Sequence, residues 1–290
     1  MAVLTSLYAL GAAAVYGAAD FLGGTVAKRA TTLAAVVATQ GAGLLLLLLF
    51  TPLMLDAVVT PNDVLFGMLA GLTGSVGVAL LYRGLAMGPM SVVAPITAVC
   101  AVVIPLIAGL MFGETLTPLA ALGVAMAIAA VVLLGQDATS TDDTGGVPRS
   151  AAHVAQAVRI ALASGVAIGG FFVCLGRTAA PAGLWPLAVS RTVSVTVFLI
   201  AALTSRQTWR IPAAALAPAI GCGGLDMIAN GLYLAAVRQG QLSLVATLAS
   251  LYPASTVLLA RFVLGERLGR WQQVGVAAAV AAIVLIVANS

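Results

Sequence analysis

The chain has 290 residues, of which 62% are hydrophobic and only 8% are charged, and its formal net charge is +4. Soluble domains are about 45–50% apolar and about 25% charged, so this composition excludes a water-soluble globular protein and predicts an all-α integral membrane protein. A helix needs about 20 apolar residues to cross the hydrocarbon core. The chain therefore has room for about ten spans and for no separate soluble domain.

Apolar runs of that length follow one another from the N-terminus onward. The first lacks the basic segment of a cleaved signal peptide and predicts a permanent span. The polar stretch Asp137–Ser150 predicts a linker, so the chain divides into a first repeat (1–136), the linker (137–152) and a second repeat (153–290). The predicted spans are 3–26, 31–55, 62–86, 89–112, 117–136, 154–177, 183–204, 212–237, 241–264 and 268–288.

The two halves repeat each other at a spacing of 152 residues. Gly113-Glu114 falls on Gly265-Glu266, and Gly123 falls on Gly275. Because five spans is an odd number, the second copy must enter the membrane from the opposite side. Inverted repeats of this type are typical of secondary transporters, whose substrate site lies near the midplane.

The basic residues agree with this inversion, because in both halves they fall at connections on one face of the membrane. The positive-inside rule makes that face cytoplasmic and places both termini outside. These residues are Lys28, Arg29, Arg83, Arg149, Arg206, Arg210, Arg267 and Arg270.

The Gly-Glu pairs have two interpretations. A carboxylate at the start of a helix can accept unpaired backbone N–H groups, and the preceding glycine permits a tight turn. Glu114 and Glu266 are thus predicted to cap helix ends in short hairpins at the interface. A gating or proton-carrying role is the alternative.

Several of these motifs together resemble the EamA-type transporters of the drug/metabolite transporter superfamily. They are the two Gly-Glu pairs, Leu251-Tyr252-Pro253, and Tyr82 followed by Gly88-Pro89, and the resemblance covers nearly the whole chain. It implies ten transmembrane helices in two inverted five-helix repeats, with spans 1, 3, 4, 6, 8 and 9 around a central cavity. It also implies export of small metabolites such as amino acids. The connection between spans 2 and 3 departs from many relatives, which are basic there, because it carries Asp56 and Asp63.

Charged residues inside the predicted spans are the first candidates for a functional site. A central charge costs about 2.5–3.5 kcal/mol on insertion scales, so it usually faces a partner or a wet cavity. Asp226 in span 8 and Arg191 in span 7 lie at similar depths, as do Asp20 in span 1 and Arg83 in span 3. We expect one opposite-charge contact in each half. A structural ion pair and a role in substrate binding or coupling both remain open for these residues.

Polar and aromatic residues extend this candidate site. Asn230 lies one turn after Asp226 on the same helix face, and Gln40 lies at midplane depth in span 2; interhelical hydrogen bonding is the alternative reading for both. Aromatic rings in the cavity-lining spans could stack on a flat ligand or hold a cation, or simply pack the helices. They include Tyr16, Tyr82, Phe171, Phe172, Tyr233 and Tyr252.

Prolines mark equivalent spans of the two halves. Pro95 in span 4 and Pro253 in span 9 each remove a backbone hydrogen bond, which predicts either a kink for packing or a hinge for alternating access. The three cysteines and the single histidine form no metal-binding pattern, so neither a metal nor another cofactor is predicted.

These patterns favour a secondary transporter that exports small metabolites, such as amino acids and aromatic ones among them, across the cytoplasmic (inner or plasma) membrane. Its partners would be a small-molecule substrate and the lipid bilayer, without nucleic acid. Two halves in one chain allow a monomer and do not exclude an oligomer. A multidrug or organic-cation exporter is the first alternative. A membrane-embedded enzyme or a non-transporting scaffold is less favoured, because the chain lacks a paired nucleophile and base.

Overall fold

The computed structural model describes residues 3–27, 29–50, 56–87, 90–136, 151–205, 210–263 and 269–288, whose regular structure is helical without a strand. Eight stretches of these residues are long and apolar enough to cross a membrane, and two shorter apolar helices accompany them. The helices are α1 (Val3–Ala27), α2 (Thr32–Phe50), α3 (Pro61–Met87), α4 (Met90–Met111), α5 (Pro118–Gln136), α6 (Ala151–Gly176), α7 (Trp185–Thr204), α8 (Ala213–Val237), α9 (Leu242–Ala249), α10 (Tyr252–Val263) and α11 (Arg270–Ala288), with a short 3₁₀ turn at Ala180–Ala182.

The ninth predicted span, 241–264, is two helices rather than one. α9 ends at Ala249 and α10 begins at Tyr252, so the segment is interrupted between them. Pro253 explains the interruption, because it has no N–H to donate to the carbonyl of Ala249. The two helices together still make one stretch long and apolar enough to cross a membrane, Leu242–Val263, and the distortion predicted near Pro253 lies within it.

Packing partners are exchanged between the two halves. α1 packs against α8 and α3 packs against α6, which are the same pair of positions with the halves swapped. Likewise α4 packs against α6 as α10 packs against α1, and α2 packs against α8 as α7 packs against α3. α5 packs against α11, its own equivalent. This is the pattern of an internal two-fold relation.

Two glycines show how α5 and α11 meet. A Cβ added at Gly123, near the start of α5, would lie 2.8 Å from Cγ1 of Ile286 near the end of α11. A Cβ added at Gly275, near the start of α11, would lie 3.0 Å from Cγ of Leu134 near the end of α5. Small residues permit such close helix contacts. The beginning of each helix meets the end of the other, so the two equivalent helices run antiparallel.

The turn after α4 links the two halves. Gly113 has a φ of +89°, and the N–H of Glu114 bonds back to the carbonyl of Gly109 at 3.0 Å, which together close α4 in a left-handed C-terminal turn. The Glu114 carboxylate accepts the backbone N–H groups of Leu242 at 2.5 Å and Ser243 at 2.9 Å. The capping role is as predicted, but the helix that it caps is α9 of the other half rather than the following helix, α5. Glu266 lies outside the described residues.

Burial separates the inside of the bundle from its periphery. Every residue of α9 is buried, and the core elsewhere is rich in alanine, which lets helices approach closely. Large apolar side chains cover the outside, such as Leu49 at 74% exposure and Met111 at 80%. An exterior of this kind matches hydrocarbon rather than water.

Candidate functional site

A cavity lies at the centre of the bundle, between the two halves. Its volume is about 210 Å³, far above the 10–15 Å³ or so that a single water needs. The helices α1, α3, α4, α6 and α8 and the start of α10 all line it, as the resemblance implied. α2 and α7 line it as well, which the resemblance did not include, and they supply much of its polar surface.

An ion pair lies on one wall of this cavity. One terminal N–H group of Arg191 in α7 donates a hydrogen bond to Oδ2 of Asp226 in α8. The other terminal nitrogen donates to Oε1 of Gln40 in α2. The Ser194 hydroxyl donates to the same Gln40 oxygen at 3.0 Å. The Arg191 side chain is 10% exposed and that of Asp226 is 32% exposed. The predicted contact between Asp226 and Arg191 is therefore confirmed, with both charges satisfied in a largely buried setting.

The predicted polar residue Asn230 joins this ion pair to α1. The Tyr16 hydroxyl donates to Oδ1 of Asn230 at 2.9 Å, and Nδ2 of Asn230 donates to the backbone carbonyl of Asp226 at 2.7 Å. The amide is thereby held in one orientation between the two helices. Tyr16 and Asn230 both line the cavity, and the hydrogen bond between them fixes the position of the Tyr16 hydroxyl.

Aromatic rings form a second wall. The Tyr16 ring lies edge-on to those of Phe172 and Tyr252, each with centroids 6.3 Å away, and Phe171 lies 5.3 Å from Phe172. Tyr233, which is fully buried, supports Phe172 from behind at 4.7 Å. These rings offer both apolar edges and electron-rich faces to a bound solute.

Asp20 faces the cavity one helical turn after Tyr16. It is exposed and lines the cavity. The predicted contact with Arg83 is wrong: among the described residues, Asp20 and Arg83 form no ion pair. The reason is direction around the helix, because α3 lines the cavity through a stripe that includes Gly74, Val78 and Leu81. Arg83 lies about 200° around the helix from Leu81 and is exposed elsewhere.

The interruption between α9 and α10 opens onto the same space. Ser250 and Tyr252, on either side of the break, line the cavity. α1 packs directly against the break: a Cβ at Gly17 would lie 2.7 Å from the Tyr252 carbonyl. The Thr256 hydroxyl donates to the Gly17 carbonyl at 3.3 Å. The only residue type that permits this approach is glycine, which has no side chain.

Seven of the predicted binding residues therefore line one cavity, although their role in binding stays a prediction. These are Tyr16, Asp20, Phe171, Arg191, Asp226, Asn230 and Tyr252. The backbones of Tyr82 and Pro95 belong to α3 and α4, and their side chains lie outside the described part of the chain. A hinge role for Pro253 is likewise a prediction.

Sequence reasoning missed the serines of the cavity. Ser190 and Ser194 lie within one turn of Arg191 on the same face of α7, and Ser250 lies at the helix break. The helix periodicity that selected Asn230 from Asp226 would also have selected Ser194 from Arg191. In the described part of the chain, no three His, Cys, Asp or Glu residues lie together as metal ligands would.

Comparison with known proteins agrees with this arrangement. The family model described as "EamA-like transporter family" matches residues 3–136 and, a second time, residues 156–288. Among solved structures, 28 chains match. One of them, titled only "Crystal structure of protein", superposes with a TM-score of 0.77 over 97% of this chain and 95% of its own, at 14% identity. No curated protein matches. At that identity the structural likeness shows the fold alone.

Proposed function

Because the chain belongs to the EamA-like transporter family, a family of multi-pass membrane transporters, we propose that it is a secondary transporter that carries a small metabolite through the central cavity. The observation that carries this proposal is the ion pair and polar network of Arg191, Asp226 and Gln40. It opens onto a cavity of about 210 Å³ amid helices apolar enough to span a membrane. Intramembrane charges that persist usually serve such a pathway.

The proposed mechanism is alternating access between two inverted repeats, 1–136 and 153–290, joined by the linker 137–152. The matched family segments, 3–136 and 156–288, support this division. The antiparallel packing of α5 against α11 and the paired glycine contacts support a two-fold axis in the membrane plane. Rocking one repeat against the other would then expose the same cavity to either side in turn.

The proposed cargo is an amino acid, with aromatic amino acids included. The rings of Tyr16, Phe171 and Tyr252 offer an apolar surface to a side chain, and polar groups that line the same cavity offer hydrogen bonds to its charged end. Export across the cytoplasmic membrane, with the basic face inside, is the proposed direction. It rests on the exposed arginines Arg29, in the turn after α1, and Arg83, near the end of α3, taken with the positive-inside rule.

Counterflow in proteoliposomes tests this function. Vesicles that contain the purified protein and are preloaded with unlabelled phenylalanine should accumulate labelled phenylalanine transiently, whereas protein-free vesicles should not. Gly74→Phe should abolish the exchange, because Gly74 lines the cavity and a Cβ there already lies 3.1 Å from Phe171 Cδ2. Gly24→Phe is the matched control, since Gly24 is exposed and has open space around it. Exchange that is equal in both variants would contradict a route through the cavity.

A further inference from the structure

The two carboxylates of the cavity are in different situations. Asp226 is neutralised by Arg191, whose two terminal nitrogens are both engaged. Asp20 lines the same cavity as Asp226. Within the described part of the chain, Asp20 has no hydrogen-bond or ion-pair partner. Its charge is therefore available to a solute.

The net charge of the cavity follows from these three residues. Among the described residues that line it, Asp20 and Asp226 each have a formal charge of −1 when ionised, and Arg191 has the single positive charge. With both carboxylates ionised, the sum is one uncompensated negative charge in a cavity walled by protein, where charge interactions are stronger than in bulk water. A solute that brings one positive charge would neutralise it, whereas an anionic solute would add to the imbalance.

The rings beside Asp20 suit the same kind of solute. Tyr16 precedes Asp20 by one turn on the same face of α1, and the Tyr252 ring, whose centroid lies 6.3 Å from that of Tyr16, lines the same cavity as Asp20. Aromatic faces attract cations and also pack against apolar carbon. A cationic group bound at Asp20 would thus also have aromatic rings beside it.

We propose that Asp20 binds the positively charged centre of the transported solute, so that the preferred substrates are small amines or other organic cations with an apolar or aromatic body. This inference rests on the proposed transport function, and it changes the preferred cargo from an amino acid to an amine. A carboxylate on the solute would find no free cation in the described lining, because Arg191 is already held by Asp226 and Gln40. An amino acid would therefore bind less tightly than the amine that lacks its carboxylate.

Three probes with the same ring and chain length test this order. They are 2-phenylethylamine (cation), phenylalanine (zwitterion) and 3-phenylpropionate (anion), each titrated against the purified protein in detergent, with the shift of its thermal transition as the readout. We expect the amine to bind about tenfold or more tightly than the anion, with phenylalanine between them. Equal binding of amine and anion would overturn the proposal. This comparison needs only the unmodified protein.

Variants at Asp20 then assign the effect to one residue. Asp20→Asn should weaken amine binding about tenfold and leave 3-phenylpropionate unchanged or improved, whereas Asp20→Glu should retain the preference for the amine. Asp56→Asn is the matched control, because Asp56 is an exposed turn residue outside the cavity. Unchanged amine binding in Asp20→Asn would also overturn the proposal.

The two proposals can fail separately. If counterflow of phenylalanine succeeds but the amine binds no better than the anion, transport stands and the role of Asp20 falls. If the amine binds through Asp20 but no solute is exchanged, the site stands and the transport function falls.

Discussion

Removing the positive charge of the ion pair should destabilise the protein strongly. Arg191→Met keeps most of the side-chain volume and leaves the Asp226 carboxylate without its counter-ion. Breaking a buried pair by removing one partner costs about 3–5 kcal/mol. Because the Asp226 side chain is 32% exposed, some cavity water can solvate the remaining charge, and we expect about 2–3 kcal/mol. For a protein of this size that is a decrease of about 3–5 °C in melting temperature.

A double-mutant cycle separates the interaction energy between Arg191 and Asp226 from the other contributions of each side chain to stability. Asp226→Asn alone should cost less than Arg191→Met, because an amide oxygen can still accept from Arg191. The double variant removes both charges and should be more stable than the sum of the single losses by about 2 kcal/mol. The free energy of unfolding is measured for all four proteins in the same mixed micelles, with Arg83→Met, at an exposed position, as the control expected within about 0.5 kcal/mol of the parent. Single losses that add without a remainder would refute the inferred coupling.

Three further predictions concern packing and hydrogen bonds. Glu114→Ala should lower the free energy of unfolding by about 2–3 kcal/mol, since two charge-assisted bonds to α9 are lost, whereas Glu114→Gln should lose less; a Glu114→Ala loss below about 0.5 kcal/mol would show that the cap contributes nothing. Gly123→Val and Gly275→Val should each cost about 1–3 kcal/mol by overpacking α5 against α11, and a large difference between them in thermal melts would contradict the exchanged contacts. Tyr16→Phe should cost about 1 kcal/mol, because it removes only the hydroxyl that Asn230 accepts; a loss as large as that of Tyr16→Ala would mean that the ring is mispositioned as well.

Depth in the membrane could be predicted from the sequence, but direction around a helix could not. Counting residues along two neighbouring spans places Arg191 and Asp226 at similar depths, and the side chains do meet. The same count paired Asp20 with Arg83, and that contact is absent because Arg83 lies off the cavity-facing stripe of α3. A helix turns by about 100° per residue, so a small error in its rotation moves a side chain from the cavity to the outside.

Long-range partners were the other limit. The sequence indicates that Glu114 should meet unpaired N–H groups, but every helix start offers such groups. Only the packing of the two halves selects the start of α9. The repeat spacing, in contrast, could be predicted from the sequence. Gly123 and Gly275 occupy equivalent positions, and both must be small for the same helix contact to form twice.

The interruption between α9 and α10 has a consequence for hydration. A chain that stops being helical halfway through the bundle leaves carbonyl groups that hydrocarbon cannot solvate. Ser250 and Tyr252, on either side of the break, line the cavity, so water in the cavity can solvate this part of the backbone when no solute is bound. A solute that passes this point would displace water from the backbone carbonyl groups. Solutes with hydrogen-bond donors could replace that water, and they would meet a lower energy barrier than solutes without donors.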